Sequence, residues 1–168
     1  MDIQSGGSSK PKPMPTVNDN AFTTVHEYLS VMATMWDRPY SFEKFVLQHG
    51  KQYNVAPLKD KHWLLRGKIK ECFCNAALAA MWNKGLTYVE GYACGVIPVL
   101  HAWCVDKHGD VVELTWPEVG TDYYGVPFNR KFLARQLCKT KQYGLIDSHK
   151  DDFGLIRGVY KKKEWCIK

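Results

Sequence analysis

A thiol, an imidazole and a carboxylate follow one another in the central part of the chain, in an order that suits nucleophilic catalysis. Cys72 stands where a helix is predicted to begin, His101 lies in the apolar segment VLHAWCV, and Glu113 lies in the segment after the next turn. In such a set the imidazole takes the proton of the thiol, and the acid orients the imidazole. The N–H groups at a helix start favour the thiolate and can hold an oxyanion. The spacing therefore predicts a Cys72–His101–Glu113 site.

The residues KHGD between the His101 and Glu113 segments are typical of a tight hairpin turn. Counting back from this turn places Glu113 level with Ala102 or Trp103, so the His101 and Glu113 side chains can meet across neighbouring strands. Each residue type also has an ordinary interpretation. A strand histidine is commonly a hydrogen-bonded core residue, a free cysteine is commonly buried and structural, and a strand acid commonly faces solvent. Asp110 is a weaker candidate acid because it belongs to the turn.

Cys74 is the competing nucleophile. Residues two positions apart on a helix point to roughly opposite sides, so only one of Cys72 and Cys74 can face His101. Cys72 shares its face with small alanine side chains, which favours Cys72. The same geometry argues against a zinc site that would add Cys104, because paired zinc cysteines usually lie two to four residues apart on a turn. We therefore predict neither a metal nor a cofactor.

Helical patterns surround this central part. Apolar residues recur three or four apart over residues 21–36, and Ser41 is expected to cap a short second helix. A third helix over residues 71–83 carries Cys72 and presents small residues along one face, which lets a helix approach a sheet closely. Asn129 is expected to cap a basic amphipathic helix with the sequence RKFLARQLCK.

Three predicted strands follow the central helix, over residues 86–96, 99–106 and 111–116. The aromatic segment 122–128 contains a glycine and a proline and is expected to loop back over the sheet. There, Tyr123 and Tyr124 belong either to a substrate cleft or to the core. The pattern predicts an α+β fold, with N-terminal helices and a central Cys-bearing helix packed on an antiparallel sheet.

The length of 168 residues predicts a single domain over residues 21–168 after a disordered leader over residues 1–20, which is rich in Gly, Ser, Pro and Lys. Apolar residues make up 45% of the chain and aromatic residues 13%, enough for a packed core. The longest apolar stretch is interrupted by Gly95, Pro98 and His101 and is too short to span a bilayer. We expect no membrane association.

The six cysteines lie mainly on predicted helices and strands, unlike the loop-borne framework of a small secreted domain. The chain opens without a signal segment of basic and then apolar residues. These features predict a cytoplasmic protein with reduced thiols. Its compact size suits a small stand-alone protein of phage or bacterial origin.

The segment from Glu71 to Trp116 resembles the papain-like transglutaminase superfamily. The resemblance rests on a cysteine opening a helix, the strand YVEGYA, then HAW, then a turn and an acid before LTW. It covers a quarter to a third of the chain. It implies Cys72 as nucleophile, His101 as base and Glu113 at the acid position, where the superfamily normally has aspartate.

These residues predict a cysteine-dependent acyl-transfer enzyme acting on a protein or small amide substrate through a thioester. Water as acceptor would make it a protease, amidase or deamidase, and an amine would make it a transferase. One alternative is an inactive binding module on the same fold. The formal net charge of +6 leaves a second alternative, a nucleic-acid-binding protein. It would use the basic C-terminal residues Arg130, Lys131, Arg135, Lys139, Lys141 and Lys161 to Lys163.

Overall fold

A curled, half-barrel sheet of five antiparallel strands forms the centre of the protein, with helices packed against it. The computed structural model describes residues 24–35, 40–57, 59, 62 and 65–167. Within these residues the α+β class expected from the sequence is confirmed. The predicted leader over residues 1–20 lies outside the described residues.

The strands pair in the order β1-β5-β2-β3-β4. Their bounds are β1 Lys51–Gln52, β2 Thr87–Cys94, β3 Pro98–Val105, β4 Val111–Val112 and β5 Asp122–Phe128. The β2–β3 hairpin pairs all eight residues of each strand, from Thr87 with Val105 to Cys94 with Pro98. Because β2 also pairs with β5 over seven residues, it is the central strand that holds the sheet together.

Five α-helices are described: α1 Val25–Met35, α2 Phe42–His49, α3 Cys72–Trp82, α4 Arg130–Thr140 and α5 Lys162–Trp165. Both predicted caps are confirmed. The Ser41 side chain accepts from the N–H of Lys44 at 3.0 Å, and the Asn129 side chain accepts from the N–H of Phe132 at 2.8 Å. Among the described residues, no helix is both long and apolar enough to cross a membrane.

Helix α3 lies close against the sheet because one of its faces carries only small side chains. Ala76, Ala79 and Ala80 are buried, whereas Trp82 remains 85% exposed. The thiol of Cys104 on β3 donates to the backbone carbonyl of Ala76 at 3.3 Å. The side chain of the strand therefore contacts the backbone of the helix directly. This approach brings the first residue of α3 to the edge of the sheet.

The expectation that residues 122–128 loop over the sheet is wrong, because they form strand β5 between β1 and β2. Gly125 lies opposite Gly91 on β2, where the two backbones come so close that neither position has room for a side chain. Pro127 lies beyond the two residues that pair with β1, where β5 has a single strand neighbour and the missing N–H is tolerated.

The predicted return strand over residues 111–116 is shorter than expected and ends at Val112. Its register is as predicted, since Val111 pairs with Val105 and Val112 with Cys104. The chain then turns, because the Glu113 carboxylate accepts from the backbone N–H groups of Thr115 and Trp116 at 2.8 and 3.0 Å. The outer edge of β3 is therefore not covered by β4 beside His101.

We predict that Gly91→Ala destabilises the protein by about 1–3 kcal/mol, the usual cost of forcing an extra carbon into a packed site. The new methyl group would overlap the carbonyl oxygen of Tyr124 and the Cα of Gly125, and neither backbone atom can move without breaking the β2–β5 ladder. Urea unfolding measures the loss. Gly95→Ala is the matched control, since its nearest neighbour would be a Trp116 ring atom at 3.9 Å. Equal stability of the two variants would contradict this account of the β2–β5 crossing.

Candidate active site

Cys72 is the first residue of α3 and is half-buried. Glu71 precedes the helix without making a side-chain cap. Among the described residues, no acceptor bonds to the backbone N–H groups of Cys72, Phe73 or Cys74. The first turn therefore offers unpaired donors and the positive end of the helix dipole beside the Cys72 thiol, an arrangement that suits an oxyanion.

His101 and Glu113 form a buried hydrogen-bonded pair. The Nε2–H of His101 donates to Oε2 of Glu113 at 2.8 Å, and the two residues are 1% and 0% exposed. Glu113 lies just past the end of β4 and reaches His101 at the open outer edge of β3. With Nε2 occupied by Glu113, Nδ1 is the ring nitrogen left for a second partner.

The second partner of His101 is Cys72. Burial lowers the pKa of His101. Hydrogen bonds with the side chains of Cys72 and Glu113, and the negative charges of these two groups, act in the opposite direction. The net effect raises the pKa of His101 to about 9. The structure therefore brings together all three residues that the sequence proposed.

The Glu113 carboxylate has four donors around its two oxygens. Besides His101 and the two backbone N–H groups of the turn, the hydroxyl of Tyr123 donates to Oε2 at 2.9 Å. Burial raises the pKa of Glu113, whereas the bond to His101, the His101 charge and the two N–H groups lower it, with a net fall below its ordinary value. Glu113 is thus ionised although it is fully buried, which lets it orient and charge-stabilise the ring.

Aromatic rings pack around the His101 imidazole and restrict its rotation. Trp116 stacks on it with ring centroids 4.2 Å apart and an interplanar angle of 20°, and Trp103 lies parallel at 6.3 Å. The Tyr123 ring lies 6.4 Å from the imidazole and is tilted by 54° relative to it. The ring therefore has little freedom to rotate away from its two partners.

Asn75 ties the helix that carries Cys72 to the turn that carries Glu113. Its side-chain amide donates to the hydroxyl of Thr115 at 2.9 Å and to the carbonyl of Lys68 at 2.8 Å. Asn75 lies one helical turn after Cys72, and Thr115 lies two residues after Glu113. This contact fixes Cys72 and Glu113 relative to each other through a route that does not involve His101.

Cys74 and Cys104, the other two cysteines that a zinc site would need, contact different residues. The thiol of Cys104 bonds to Ala76 on the face of β3 opposite to the one that carries Trp103. Cys74 interacts with the hydroxyl of Tyr143, whose pKa it raises. Within the described part of the chain, no three His, Cys, Asp or Glu side chains are grouped as metal ligands. Cys74 therefore has Tyr143 as its neighbour, and the choice of Cys72 over Cys74 as nucleophile stays a prediction.

Several of the basic residues named for nucleic-acid binding have partners within the protein. Arg135 pairs with Glu164 at 3.2 Å and Lys139 with Asp151 at 2.5 Å. Arg130 donates to the carbonyl of Asn83 at 2.7 Å. These contacts give the three residues a role within the fold, and nucleic-acid binding stays a prediction.

Sequence reasoning missed three residues that support the site. Tyr123 was placed either in a cleft or in the core, yet its buried hydroxyl is a ligand of Glu113. The sequence pattern predicts no role in the site for Trp116 or Asn75. A hint was available for Asn75, since a polar residue on a helix face made of alanines needs a partner when it is buried.

We predict that Tyr123→Phe lowers the free energy of unfolding by about 1–3 kcal/mol, the usual cost of leaving buried polar groups unpaired. The change removes a donor from Glu113 and also the acceptor for the N–H of Gly120, which lies 2.8 Å from the Tyr123 oxygen. Tyr143→Phe is the matched control, because Tyr143 is 41% exposed and its variant should stay within about 0.5 kcal/mol of wild type. Urea unfolding distinguishes the two. A loss no larger for Tyr123→Phe than for Tyr143→Phe would show that Glu113 does not depend on this hydroxyl.

Comparison of the chain with protein-family models, with curated proteins and with solved structures found no match. The interpretation of the site therefore rests on its own geometry.

Proposed function

We propose that the protein is a cysteine-dependent acyl-transfer enzyme acting on an amide of a protein or small-molecule substrate. Cys72 is the nucleophile, His101 the general base and acid, and Glu113 the group that orients the imidazole. The single observation that carries the proposal is the His101 ring held between the Cys72 side chain and the ionised, buried Glu113.

The first step transfers the acyl group to the enzyme. The Cys72 thiolate attacks the amide carbonyl carbon, and the N–H groups that open α3 face the developing oxyanion. His101 gives its proton to the leaving nitrogen as the C–N bond breaks, which leaves an acyl thioester on Cys72 and a neutral imidazole. Its pKa of about 9 keeps His101 protonated and ready for this transfer at neutral pH.

The second step releases the acyl group. His101 takes a proton from water or from an incoming amine, which attacks the thioester carbonyl. The C–S bond then breaks and restores the thiolate–imidazolium pair. Water yields a carboxylic acid, as in a protease, amidase or deamidase, and an amine yields a new amide, as in a transferase.

Glu113 stands where the papain-like transglutaminase superfamily normally has aspartate, and its position accounts for the longer side chain. The residue lies just past the end of β4, and its longer side chain reaches His101 at 2.8 Å. The order of the three residues and a helix packed on an antiparallel sheet support our proposal of a papain-like core. All six cysteines are free thiols, which suits a reducing compartment, and we place the enzyme in the cytoplasm.

We predict that iodoacetamide alkylates Cys72 at least about tenfold faster than the other five thiols at pH 7, because Cys72 adjoins the protonated imidazole of His101. Mass spectrometry of the labelled protein measures the rate at each site. His101→Ala should slow labelling of Cys72 by about tenfold or more, since it removes the cation that stabilises the thiolate.

Cys74→Ala is the matched control for Cys72→Ala, since both remove a thiol from the first turn of α3. Cys72→Ala should abolish the rapid labelling with the fold retained, and Cys74→Ala should leave it unchanged. Loss of the rapid phase in Cys74→Ala would mean that the nucleophile is misplaced. Labelling of Cys72 no faster than that of the other thiols would favour the inactive binding module.

A further inference from the structure

A cavity of about 640 Å³ opens on the face of the sheet that the helices cover. Its wall is formed by the start of α2, by Tyr92 from β2, by Leu100 from β3 and by the segment after α4. Leu100 and His101 are consecutive on β3, so their side chains project from opposite faces of the sheet. The cavity is therefore a site separate from the candidate active site.

The segment that follows α4 closes the cavity off from Cys72. The backbone N–H groups of Leu145 and Ile146 donate to the buried carboxylate of Glu90, which precedes Tyr92 on the same face of β2. Leu145 and Ile146 are themselves buried. A molecule therefore reaches the cavity from solvent and not by way of Cys72.

Four aromatic rings line the cavity, those of Tyr40, Phe42, Tyr92 and Phe153. Phe42 meets Tyr92 edge-on with centroids 5.7 Å apart. Tyr40 and Phe153 are 57% and 38% exposed, so much of their ring surface is open to a ligand. Among the described residues, no lysine or arginine lies over any of these four rings.

The backbone is strained where it presents Phe153 to the cavity. Asp152 and Phe153 both have a positive φ, of 51° and 54°. Residues with side chains rarely adopt this region because it costs free energy, and such residues are common at ligand sites. The costly conformation places the Phe153 ring in the wall of the cavity instead of in the core.

Two carboxylates give the cavity a negative charge. Glu43 accepts a hydrogen bond from the Tyr92 hydroxyl at 3.0 Å. Burial is the main cause of the raised Tyr92 pKa, and the charges of Glu43 and Asp147 both add to it, which places the two carboxylates near this ring. Within the described part of the chain, neither carboxylate forms an ion pair. Arg157, which also lines the cavity, is bonded to Asp152.

This combination of rings and carboxylates suits a small quaternary ammonium ion. A cation over an aromatic face is attracted by the charge distribution of the ring. The methyl groups of a quaternary ammonium ion donate no hydrogen bonds, so the ion loses none when it leaves water. Glu43 and Asp147 add attraction for the positive charge. The volume of about 640 Å³ also lies within the usual range of small-molecule sites.

We propose that this cavity binds a small quaternary ammonium compound, held by the four aromatic rings and by the charges of Glu43 and Asp147. The apolar side chains of Leu100 and Ile156 contact the uncharged part of the same ligand. The cavity and the acyl-transfer site are separate, so the failure of one proposal would leave the other standing.

The test compares two probes of the same shape, choline and 3,3-dimethylbutan-1-ol, which differ only in the replacement of the ammonium nitrogen by carbon. Binding is followed through the ¹³C methyl signals of Ile156, which lines the cavity and is assigned by the loss of its signals in Ile156→Val. Ile69, an exposed residue before α3, is the internal control. We expect choline to shift the Ile156 signals saturably and to bind at least about tenfold more tightly than the neutral probe, which corresponds to about 1.4 kcal/mol.

Two variants should reduce this preference. The Glu43→Gln, Asp147→Asn double variant should weaken choline binding about fivefold or more, while the amide oxygen introduced by Glu43→Gln would still accept from the Tyr92 hydroxyl. Phe153→Leu should weaken choline selectively, because it removes one aromatic face and keeps an apolar side chain. Glu118→Gln is the matched control, since it removes one exposed carboxylate outside the cavity and should keep the wild-type affinities.

Three results would overturn the proposed site. Equal affinities of the two probes for the wild-type protein would show that the positive charge is not recognised. A choline shift at Ile69 without one at Ile156, or no saturable shift at all, would show that the cavity does not bind the ion. An unchanged choline preference in both the folded double variant and Phe153→Leu would show that these residues do not hold it. If the double variant does not fold, the wild-type comparison and Phe153→Leu decide.

Discussion

The structure of the site depends on one buried interaction, the bond between the imidazole of His101 and the carboxylate of Glu113. Two groups that are 1% and 0% exposed can stay ionised only if other contacts replace the water they have lost. Glu113 gains these contacts from its own turn and from Tyr123 on β5. Removing one member of a buried pair of this kind typically costs about 3–5 kcal/mol. The bond between His101 and Glu113 therefore requires both the turn after β4 and the position of β5.

Cys72 reaches the His101–Glu113 pair because small side chains let α3 approach the sheet. Ala76 is close enough to β3 for its carbonyl to accept from Cys104, and Asn75 bonds to Thr115 in the turn that follows Glu113. Helix, strand and turn therefore contribute one group each to a single site, and their positions are linked by contacts outside it.

Local sequence pattern predicted much of this arrangement and failed where distant segments meet. The turn after β3 correctly predicted the register that brings Glu113 near His101. Ser41 and Asn129 correctly predicted where α2 and α4 begin. The strand β5 was missed because Gly125 and Pro127 are typical of loops, and its pairing with β2 depends on residues 28 to 40 positions away. The role of Tyr123 was missed for the same reason, since nothing near it in the chain indicates that a carboxylate from β4 needs a donor.

The most direct test of the central claim is the titration of the His101 imidazole followed by ¹⁵N NMR, with its signal assigned by its loss in a His101→Asn variant. The account predicts that His101 stays protonated at pH 8, titrates near pH 9, and loses much of this elevation in Cys72→Ala because one of its two partners is gone. A His101 signal that titrates near its ordinary value of 6.5, with or without the Cys72 thiol, would contradict the coupling of the three residues.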